Sequence, residues 1–421
     1  MLRTLKISAL LLGTLVFPSL AMAELGCSDA VIEAGGTIEV AAVSGGDSGN
    51  LQCALDAATS GGYGTVLLTS PEYSLDGGIK VDDFSGALRG RSIANTRLVV
   101  QDGALSCVPG DNTVLSFSNG FGVLISFMSI DVGSPCASGN TVAIVAFTTD
   151  PDNCAQRTTF GTVDRVAFRG EGAASSGPVF AVAMEKAQNC GPQILGTLKV
   201  NRASFENLHY GVAASVGGGG QVDINFNEFT GMGFAIGIIN AAQSTTILNN
   251  TINYNDATGY NTPSSPGLGT VGVFLDSNAA SPASNSTTIK DNTFTDGGVL
   301  SSGIAITSDP SDIPVAHAIN ITGNRFVGTE GAVSGAGIAV FDTDNGVISG
   351  NRFVSGAGAW ILLSGDDVRP EISGWAIVSN NFSESTTDLD IALRNSSGSI
   401  VGPDQNLPTV SDDTGNNTIL Q

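Results

Sequence analysis

Charged residues are scarce in this 421-residue chain, and basic residues are the scarcest among them. Asp, Glu, Lys and Arg together make up 13% of the sequence, the aromatic residues 6%, and histidine occurs twice. Long charged helices cannot be built from this composition, whereas its 55 glycines suit many short strands joined by tight polar turns. The composition therefore predicts an all-β fold.

The shortage of basic residues also limits the possible partners. The 17 Lys and Arg residues face 39 Asp and Glu residues, which gives a formal net charge of −22. Such an excess repels nucleic acid and anionic lipid surfaces, so neither is an expected partner. Beyond the N-terminus no uninterrupted apolar run approaches 18 residues, and membrane insertion is not expected either.

The N-terminus has the features of a targeting segment. Met1 to Lys6 carries two positive charges, an apolar run follows from Ile7 to Leu20, and Ala21 to Ala23 supplies a small-residue cleavage site. This pattern is typical of a secretory signal peptide over residues 1–23. We therefore expect export through the Sec pathway to the periplasm or the extracellular space.

Cysteines are confined to the first half of the chain, and none lies in a Cys-x-x-Cys spacing. An even number of cysteines in an exported protein indicates disulfides, here three. Sequential pairing is the simplest of the 15 possible connectivities, and the sequence leaves the others open. The six candidates are Cys27, Cys53, Cys107, Cys136, Cys154 and Cys190.

A recurring phrase is the strongest signal in the sequence: an aliphatic residue, two variable residues, Asn, any residue, then Phe or Ile. Its closing residue recurs every 23 to 42 residues, as expected for coils of a repeat protein with loops of varying length. Degenerate copies occur earlier, at Val163–Phe168 and Val200–Phe205. The complete copies are Ile224–Phe229, Ile247–Ile252, Ile289–Phe294, Ile321–Phe326, Ile348–Phe353 and Ile377–Phe382.

Each phrase is followed by a second strand that often begins with glycine, as at Gly237, Gly272, Gly303 and Gly337. A coil thus reads strand, Asn turn, short strand, loop, Gly-led strand, loop. Inward residues of successive coils should stack about 4.8 Å apart. We expect the Phe residues to form one internal ladder and the Asn residues another, with structural rather than chemical roles.

The N-terminal part of the repeat region resembles a known superfamily. Leu51–Ala58 reads LQCALDAA, an amphipathic helix that Ser60, Gly61 and Gly62 end, and Gly64–Leu68 reads GTVLL, a strand. Further strand-like pairs follow at Tyr73 and Leu75, Ile79 and Val81, and Leu88 and Gly90. These segments resemble the pectin-lyase-like superfamily of right-handed parallel β-helices, in which such a helix caps the open end of the solenoid.

The resemblance covers essentially the whole mature chain, and it implies a fold without implying an activity. It predicts an all-β right-handed parallel β-helix over residues 24–401, with a short N-terminal capping helix near residues 50–58. Residues 402–421 are polar, and we expect them to form a C-terminal tail or cap.

Acidic residues follow the Gly-led strands in successive coils. Stacking would crowd these carboxylates together, so that they could act as general acids, share a cation, or simply form a solvated acidic edge. Asp344, Asp366 and Asp367 are the catalytic candidates. Asp342, Asp344 and Asn345 precede Gly346 much as the first ligands of a calcium loop do, without its closing acid, so Ca²⁺ is the only cofactor considered. The whole series is Asp276, Asp309, Asp312, Asp342, Asp344, Asp366 and Asp367.

Two arginines are further catalytic candidates, because they could form an anion site. Arg325 and Arg352 occupy the same outward position of consecutive repeat phrases, so they should lie side by side and could bind a uronate carboxylate or pair with surface acids. Thr343-Asp344 and Asp366-Asp367 are similar to two motifs of the polygalacturonases. The Gly-His-Gly and Arg-Ile-Lys motifs of that family are absent.

These features predict a secreted carbohydrate-active protein, a monomer that acts on an extracellular polysaccharide or cell-surface glycan by elimination or hydrolysis. The alternative is a non-catalytic glycan-binding, adhesin or matrix protein, which the missing motifs favour. An ice- or mineral-binding solenoid would need a long outward Thr array. The threonine pairs at Thr245-Thr246 and Thr287-Thr288 are too short for that.

Overall fold

A computed structural model describes residues 27–108, 112–136, 141–148, 160–171, 179–185, 196–215, 220–239, 244–254, 270–277, 286–295, 300–308, 318–328, 336–356, 359–365, 372–403 and 408–420. These residues form one helix and short strands in two large sheets and one small sheet. The predicted signal peptide lies outside them. No helix in the described ranges is long and apolar enough to cross a membrane.

The strands of the described residues divide between a 24-stranded sheet, a 12-stranded sheet and a two-stranded sheet. The larger sheet holds Val31–Ala34, Thr37–Val40, Thr65–Leu68, Glu72–Leu75, Ala87–Arg89, Arg97–Val100, Val123–Val132, Phe160–Arg169, Thr197–Asn201, Ser204–Glu206, Gln221–Asn225, Glu228–Thr230, Ser244–Leu248, Thr251–Asn253, Ser286–Lys290, Thr293–Thr295, Ala318–Thr322, Arg325–Val327, Gly346–Ser349, Arg352–Val354, Trp375–Val378, Asn381–Glu384, Ile400–Val401 and Thr418–Ile419. The 12-stranded sheet holds Ile79–Asp82, Thr113–Ser118, Val142–Thr148, Val179–Glu185, Tyr210–Ser215, Phe234–Ile239, Thr270–Ser277, Leu300–Ser308, Ala336–Phe341, Ile361–Ser364, Ile391–Arg394 and Val410–Asp412. The small sheet pairs Ile372–Ser373 with Ser396–Ser397.

A typical coil contributes two short strands to the larger sheet and one to the 12-stranded sheet. In one coil they are Gln221–Asn225, Glu228–Thr230 and Phe234–Ile239. Each pairs in parallel with its counterpart in the next coil, where Ile247, Ile252 and Val273 lie opposite Ile224, Phe229 and Ile236. The predicted order of strands within a coil and their parallel stacking are therefore confirmed.

The predicted aromatic ladder runs through the interior of the coils. The rings of Phe168, Phe205 and Phe229 stack with centroids 5.2 and 4.6 Å apart. Ile252 takes the next position, and Phe294 and Phe326 resume the stack 4.8 Å apart, followed by Phe353 and Phe382. Nearly parallel rings at these distances add dispersion and quadrupole interactions to the area that they bury.

The asparagines of the repeat phrase form the second predicted ladder. Asn250 donates from Nδ2 to Ile224 O of the preceding coil and to Asn292 Oδ1 of the following coil, each at 2.9 Å. Asn292 Oδ1 also accepts the backbone N–H of Asn250 at 2.9 Å. The same pattern continues through Asn324, Asn351 and Asn380. The ladder satisfies turn groups that would otherwise be buried without a partner.

The glycines that lead the second strands have a packing reason. A Cβ on Gly272 would lie 2.9 Å from the Phe294 ring, and one on Gly303 would lie 2.8 Å from the Phe326 ring. The strand backbone therefore lies so close to the Phe ring of the next coil that glycine is the only residue that fits. Gly237 does not share this position: it lies opposite Phe274, two residues beyond Gly272, and a Cβ added there would have no atom within 4 Å.

A helix closes the N-terminal end, as predicted. It spans Ser48–Gly61, extends beyond the expected residues 50–58, and ends at Gly62 with a left-handed φ of 70°. Leu51, Ala54, Leu55 and Ala58 are buried against the first coil. Asp47 Oδ2 accepts the backbone N–H of Ser74 at 2.7 Å and so fixes the helix start to that coil.

Two disulfides follow the predicted sequential pairing. Cys27 pairs with Cys53, which ties the capping helix to the segment before the first strand, and Cys107 pairs with Cys136. Cys154 and Cys190 lie outside the described residues.

The stacking continues beyond residue 401. Val410–Asp412 pairs in parallel with Ile391–Arg394, and Thr418–Ile419 pairs in parallel with Ile400–Val401. The segment 402–421, expected to be a polar tail or cap, thus carries strands of both large sheets.

Candidate functional site

The larger sheet carries an open cleft of about 400 Å³ near its N-terminal end. The strands Arg97–Val100, Val123–Val132 and Phe160–Arg169 supply its floor from three successive coils. Val99, Asp131 and Arg169 lie directly opposite one another in the strand register. They occupy outward positions, between inward residues that build the core.

Alternating charges run along the floor of this N-terminal cleft. Arg97 Nε donates to Asp131 Oδ2 at 2.5 Å, and Arg97 Nη1 donates to Glu72 Oε2 at 3.1 Å. On the other side Arg169 Nη1 donates to Asp131 Oδ1 at 3.5 Å, and Arg169 Nε lies 3.8 Å from Glu206 Oε2. Five coils thus contribute one charge each, with Asp131 at the centre.

Exposure distinguishes the central acid from its neighbours. The Asp131 side chain is 18% exposed, whereas the Arg97 and Arg169 side chains are each 47% exposed. The hydrogen bond and charge of Asp131 raise the pKa of the Arg97 guanidinium above its ordinary value, so this group stays positively charged. About half of each arginine side chain is exposed to solvent, where a ligand could reach it.

Two further carboxylates converge on Gly133 at one wall of the cleft. A Cβ at this position would lie 2.8 Å from Asp102 Oδ1 and 3.2 Å from Glu171 Oε1. Asp102 Oδ1 also accepts the backbone N–H of Ser134 at 2.9 Å, which fixes its orientation. The absence of a side chain at residue 133 therefore lets acids of two different coils face each other across it.

The cleft joins groups with complementary chemistry. Paired carboxylates can serve as general acid and base on either side of a scissile bond. Guanidinium groups bind carboxylates and hydroxyls through several donors. Asp102, Asp131 and Glu171 supply the first kind of group, and Arg97 and Arg169 the second.

The acids predicted from the sequence lie elsewhere, at the turn between Ala336–Phe341 and Gly346–Ser349. Asp344 Oδ1 accepts the backbone N–H of Ser373 at 2.6 Å and its hydroxyl at 3.3 Å, so this carboxylate holds the turn to the next coil. Asp342 is buried, and Asn345 is exposed. Asp366 and Asp367 lie outside the described residues.

The geometry of this turn does not favour a calcium site. Asp344 Oδ1 already accepts two hydrogen bonds from Ser373. Within the described part of the chain, no group of three or more His, Cys, Asp or Glu side chains could hold a metal ion.

The two predicted arginines do lie side by side. Arg325 and Arg352 are direct register partners in neighbouring strands. Arg352 Nη2 donates to Glu384 Oε1, while the Arg325 side chain makes no hydrogen bond or ion pair with a described residue. Strand Gly346–Ser349 separates Asp344 from Arg352 by about 13 Å along the chain direction, so Asp344 is not brought to the arginines.

A family model described as "Right handed beta helix region" matches residues 196–368. The matched segment contains most of the Asn and Phe ladders described above. The chain is a right-handed parallel β-helix. No curated protein sequence matches it.

Solved structures with the same fold differ strongly from this β-helix in sequence. The A-module of the Azotobacter vinelandii mannuronan C-5 epimerase AlgE6 is 16% identical, with 88% of this chain and 92% of that chain covered and a TM-score of 0.43. Tailspike protein 3 of bacteriophage CBA120 is 13% identical, with 89% and 60% covered and a TM-score of 0.40. The catalytic domain of a GH87 α-1,3-glucanase is 12% identical, with 91% and 68% covered and a TM-score of 0.40. At these identities and TM-scores, none of the three structures carries a conclusion about this chain.

Sequence reasoning missed the cleft of this β-helix. Its residues lie 34 and 38 positions apart, and the repeat phrase is degenerate there: Ile125–Ile130 carries Met128 where later coils carry Asn. Aligning Ile125–Ile130 with Val163–Phe168 would have placed Asp131 beside Arg169. That alignment is the signal that could have found the site.

Proposed function

We propose that this β-helix acts on an extracellular polysaccharide in the N-terminal cleft. The observation that carries the proposal is the convergence of Asp102, Asp131 and Glu171 with Arg97 and Arg169 in one open cleft. A cleft on the outer face of stacked strands accepts a long chain that extends along the solenoid. Carboxylates and guanidiniums supply the hydrogen bonds that sugar hydroxyls and uronates require.

The same groups suit either hydrolysis or elimination. For hydrolysis, Glu171 and Asp102 would be the general acid and base, because they face each other across Gly133. For elimination, Arg97 and Arg169 would neutralise a uronate carboxylate while one of the acids removes a proton. The product distinguishes the two, since only elimination leaves an unsaturated sugar.

A non-catalytic role is the second candidate, and the ion pairs favour it. Arg97 and Arg169 are each already paired with acids of neighbouring coils, so the charged floor is also consistent with a structural network. In that case the cleft would retain a glycan without cleaving it.

The two disulfides support export, because such bonds form and persist in oxidising compartments. We propose that the mature protein begins after residue 23 and lies in the periplasm or outside the cell. N-terminal sequencing of the exported protein tests the cleavage site directly.

The activity test compares two sets of acids. The purified protein is incubated with a polysaccharide panel, and both reducing ends and the ultraviolet absorbance of unsaturated products are measured. Asp102→Asn and Glu171→Gln should lower the rate by roughly 10²–10⁴-fold if the cleft is catalytic. Glu228→Gln, an exposed acid of the same sheet outside the cleft, is the matched control.

Asp344→Asn and Asp366→Asn form the competing set, from the acids predicted by the sequence. Loss of activity in these variants alone would transfer the proposed catalytic role to the turn after Phe341. A third outcome is that no polysaccharide of the panel is cleaved, but a polysaccharide in an affinity gel still retards the protein. The binding role then stands and the catalytic role fails.

A further inference from the structure

The residue before the asparagine position of each repeat phrase has a left-handed backbone, and two coils place phenylalanine there. Gly, Asn and Asp adopt this conformation readily, and five later coils use them or Ser. Phenylalanine is unfavourable in this conformation, because its side chain is bulky and the backbone φ is positive. The series, with φ values of 52–67°, is Phe127, Arg165, Arg202, Phe226, Asn249, Asp291, Gly323, Gly350 and Ser379.

Neither phenylalanine is there to fill the core. Phe226 is 61% exposed, although every ladder Phe of the described coils is buried. Phe127 lies between two guanidiniums, with Arg89 Cζ 4.9 Å and Arg165 Cζ 5.0 Å from its ring centroid. An exposed aromatic ring on a strained backbone indicates that the ring serves a surface role.

The surface around these rings is basic in an otherwise acidic protein. Arg89, Lys199 and Arg202 are exposed, and Arg165 has a 42% exposed side chain. Asp164 pairs with Arg202 at 2.5 Å and lies 3.8 Å from Arg165, whereas Arg89 and Lys199 form no ion pair with a described residue. Asp223 lies opposite Lys199 in the strand register, and the exposed Glu228 follows Phe226 by two residues. The four cations Arg89, Arg165, Lys199 and Arg202 thus share this surface with three acids, whereas the whole chain has a net charge of −22.

We propose that this surface, the Arg–Phe edge formed by Arg89, Phe127, Arg165, Lys199, Arg202 and Phe226, binds an anionic glycan chain. The cations would contact carboxylate or sulfate groups, and the exposed ring of Phe226 would stack on the apolar face of a sugar ring. The Phe127 ring would hold the guanidiniums of Arg89 and Arg165 in place. Phe127 and Phe226 are three coils apart, which places them about 14 Å from each other along the solenoid axis. The occupant is therefore a chain of several sugars.

The Arg–Phe edge is continuous with the N-terminal cleft. Phe127 and Asp131 belong to the strand Val123–Val132, and Arg165 and Arg169 belong to the strand Phe160–Arg169. A chain bound on the edge would thus pass to the cleft on the adjacent face. The inference rests on the proposed function for its ligand class, and it adds an anionic substrate and a second binding surface.

The test measures binding of polygalacturonate, dextran sulfate and neutral dextran by affinity electrophoresis and calorimetry. Phe226→Asn gives this turn the residue that the next coil has at Asn249, so it removes the ring and relieves the backbone. We expect about tenfold weaker binding of the charged probes with unchanged folding. The double variant Arg89→Gln/Arg165→Gln should also weaken binding about tenfold and reduce its salt dependence.

Two matched controls accompany these variants. Phe121→Ala removes a ring that is 68% exposed but lies on a different edge, and Arg394→Gln removes an exposed guanidinium near the C-terminal end. Both should bind like the wild type. A preference for polygalacturonate or for dextran sulfate identifies the anionic group as carboxylate or sulfate.

The outcomes separate the two proposals. If the edge variants bind the charged probes as well as the wild type, while Asp102→Asn or Arg169→Gln weakens binding, the edge proposal is overturned and the cleft proposal stands. Equal affinity of the wild type for neutral dextran also overturns the edge proposal. If the wild type binds none of the three probes and cleaves no polysaccharide, both proposals fail.

Discussion

Asn292 Oδ1 accepts both the side-chain and the backbone N–H of Asn250 at 2.9 Å, although 42 residues separate the two positions. The intervening chain contributes the strand Thr270–Ser277 to the 12-stranded sheet and returns to the same register, with Thr251 opposite Thr293. Buried amide–amide links of this kind fix the register on return, because any slip would leave several polar groups without partners.

Replacement of Asn292 by alanine should therefore be strongly destabilising. The change removes the acceptor of two Asn250 N–H groups and the donor to Ile247 O and Asn324 Oδ1. Since each buried polar group left unpaired costs about 1–3 kcal/mol, we expect a total loss of roughly 3–5 kcal/mol. Urea unfolding followed by circular dichroism measures it. Asn225→Ala, whose Oδ1 has no partner, should cost less than about 1 kcal/mol and is the control.

A second prediction concerns the Gly-led strands. A Cβ on Gly303 would lie 2.7 Å from Gly337 O and 2.8 Å from the Phe326 ring, so Gly303→Ala forces two coils apart. We expect a loss of about 1–3 kcal/mol, measured as a lower thermal midpoint. Gly237→Ala meets no atom within 4 Å and should leave the midpoint unchanged or slightly higher. Equal effects of the two substitutions would refute this account of the glycines.

The repeat could be predicted because its signals are local in sequence. Ile, Asn and Phe at fixed offsets specify an inward residue, a turn and another inward residue, and identical coils must then stack. The cleft depends instead on how Arg97, Asp131 and Arg169 come together across loops of different length. Met128 and Val166 replace the ladder asparagine there, so that register is visible only when Ile125–Ile130 is aligned with Val163–Phe168. Asp344 was predicted as a site residue from its motif. In the structure its carboxylate accepts the backbone N–H of Ser373 and so stabilises a turn of the next coil.

The Cys107–Cys136 disulfide should stabilise the wall of the cleft. The segments that it joins pair through Gly103 N to Ser134 O and Leu105 N to Pro135 O, each at 3.0 Å, beside Asp102. Loss of a crosslink that closes a 29-residue separation should cost roughly 3–4 kcal/mol. We expect Cys107→Ser/Cys136→Ser to lower both the thermal midpoint and the affinity for polysaccharide.

The other disulfide provides the comparison. Cys27 and Cys53 are 26 residues apart and lie at the capping helix, away from the cleft. Their removal should lower stability by a similar amount and leave binding unchanged. Equal losses of binding in the two double variants would show that the effect is global and not confined to the cleft wall.

The final prediction concerns pH. Burial lowers the pKa of His209 below its ordinary value of 6.5, and its Nδ1 accepts the backbone N–H of Val179 at 3.4 Å, which requires the unprotonated ring nitrogen. In the unfolded chain this imidazole takes up a proton near pH 6.5, while in the folded chain it does so only at lower pH. Between these two values the unfolded state binds more protons, so the free energy of unfolding should fall as the pH decreases.

Urea midpoints measured from about pH 8 to about pH 5 test this sign. The wild type should lose stability over this interval, with most of the loss below pH 6.5. His209→Gln keeps a hydrogen-bond acceptor for Val179 and removes the titrating group, so its midpoint should change less. A midpoint that rises on acidification in the wild type, or an equal decrease in the variant, would show that the pH dependence arises from other groups.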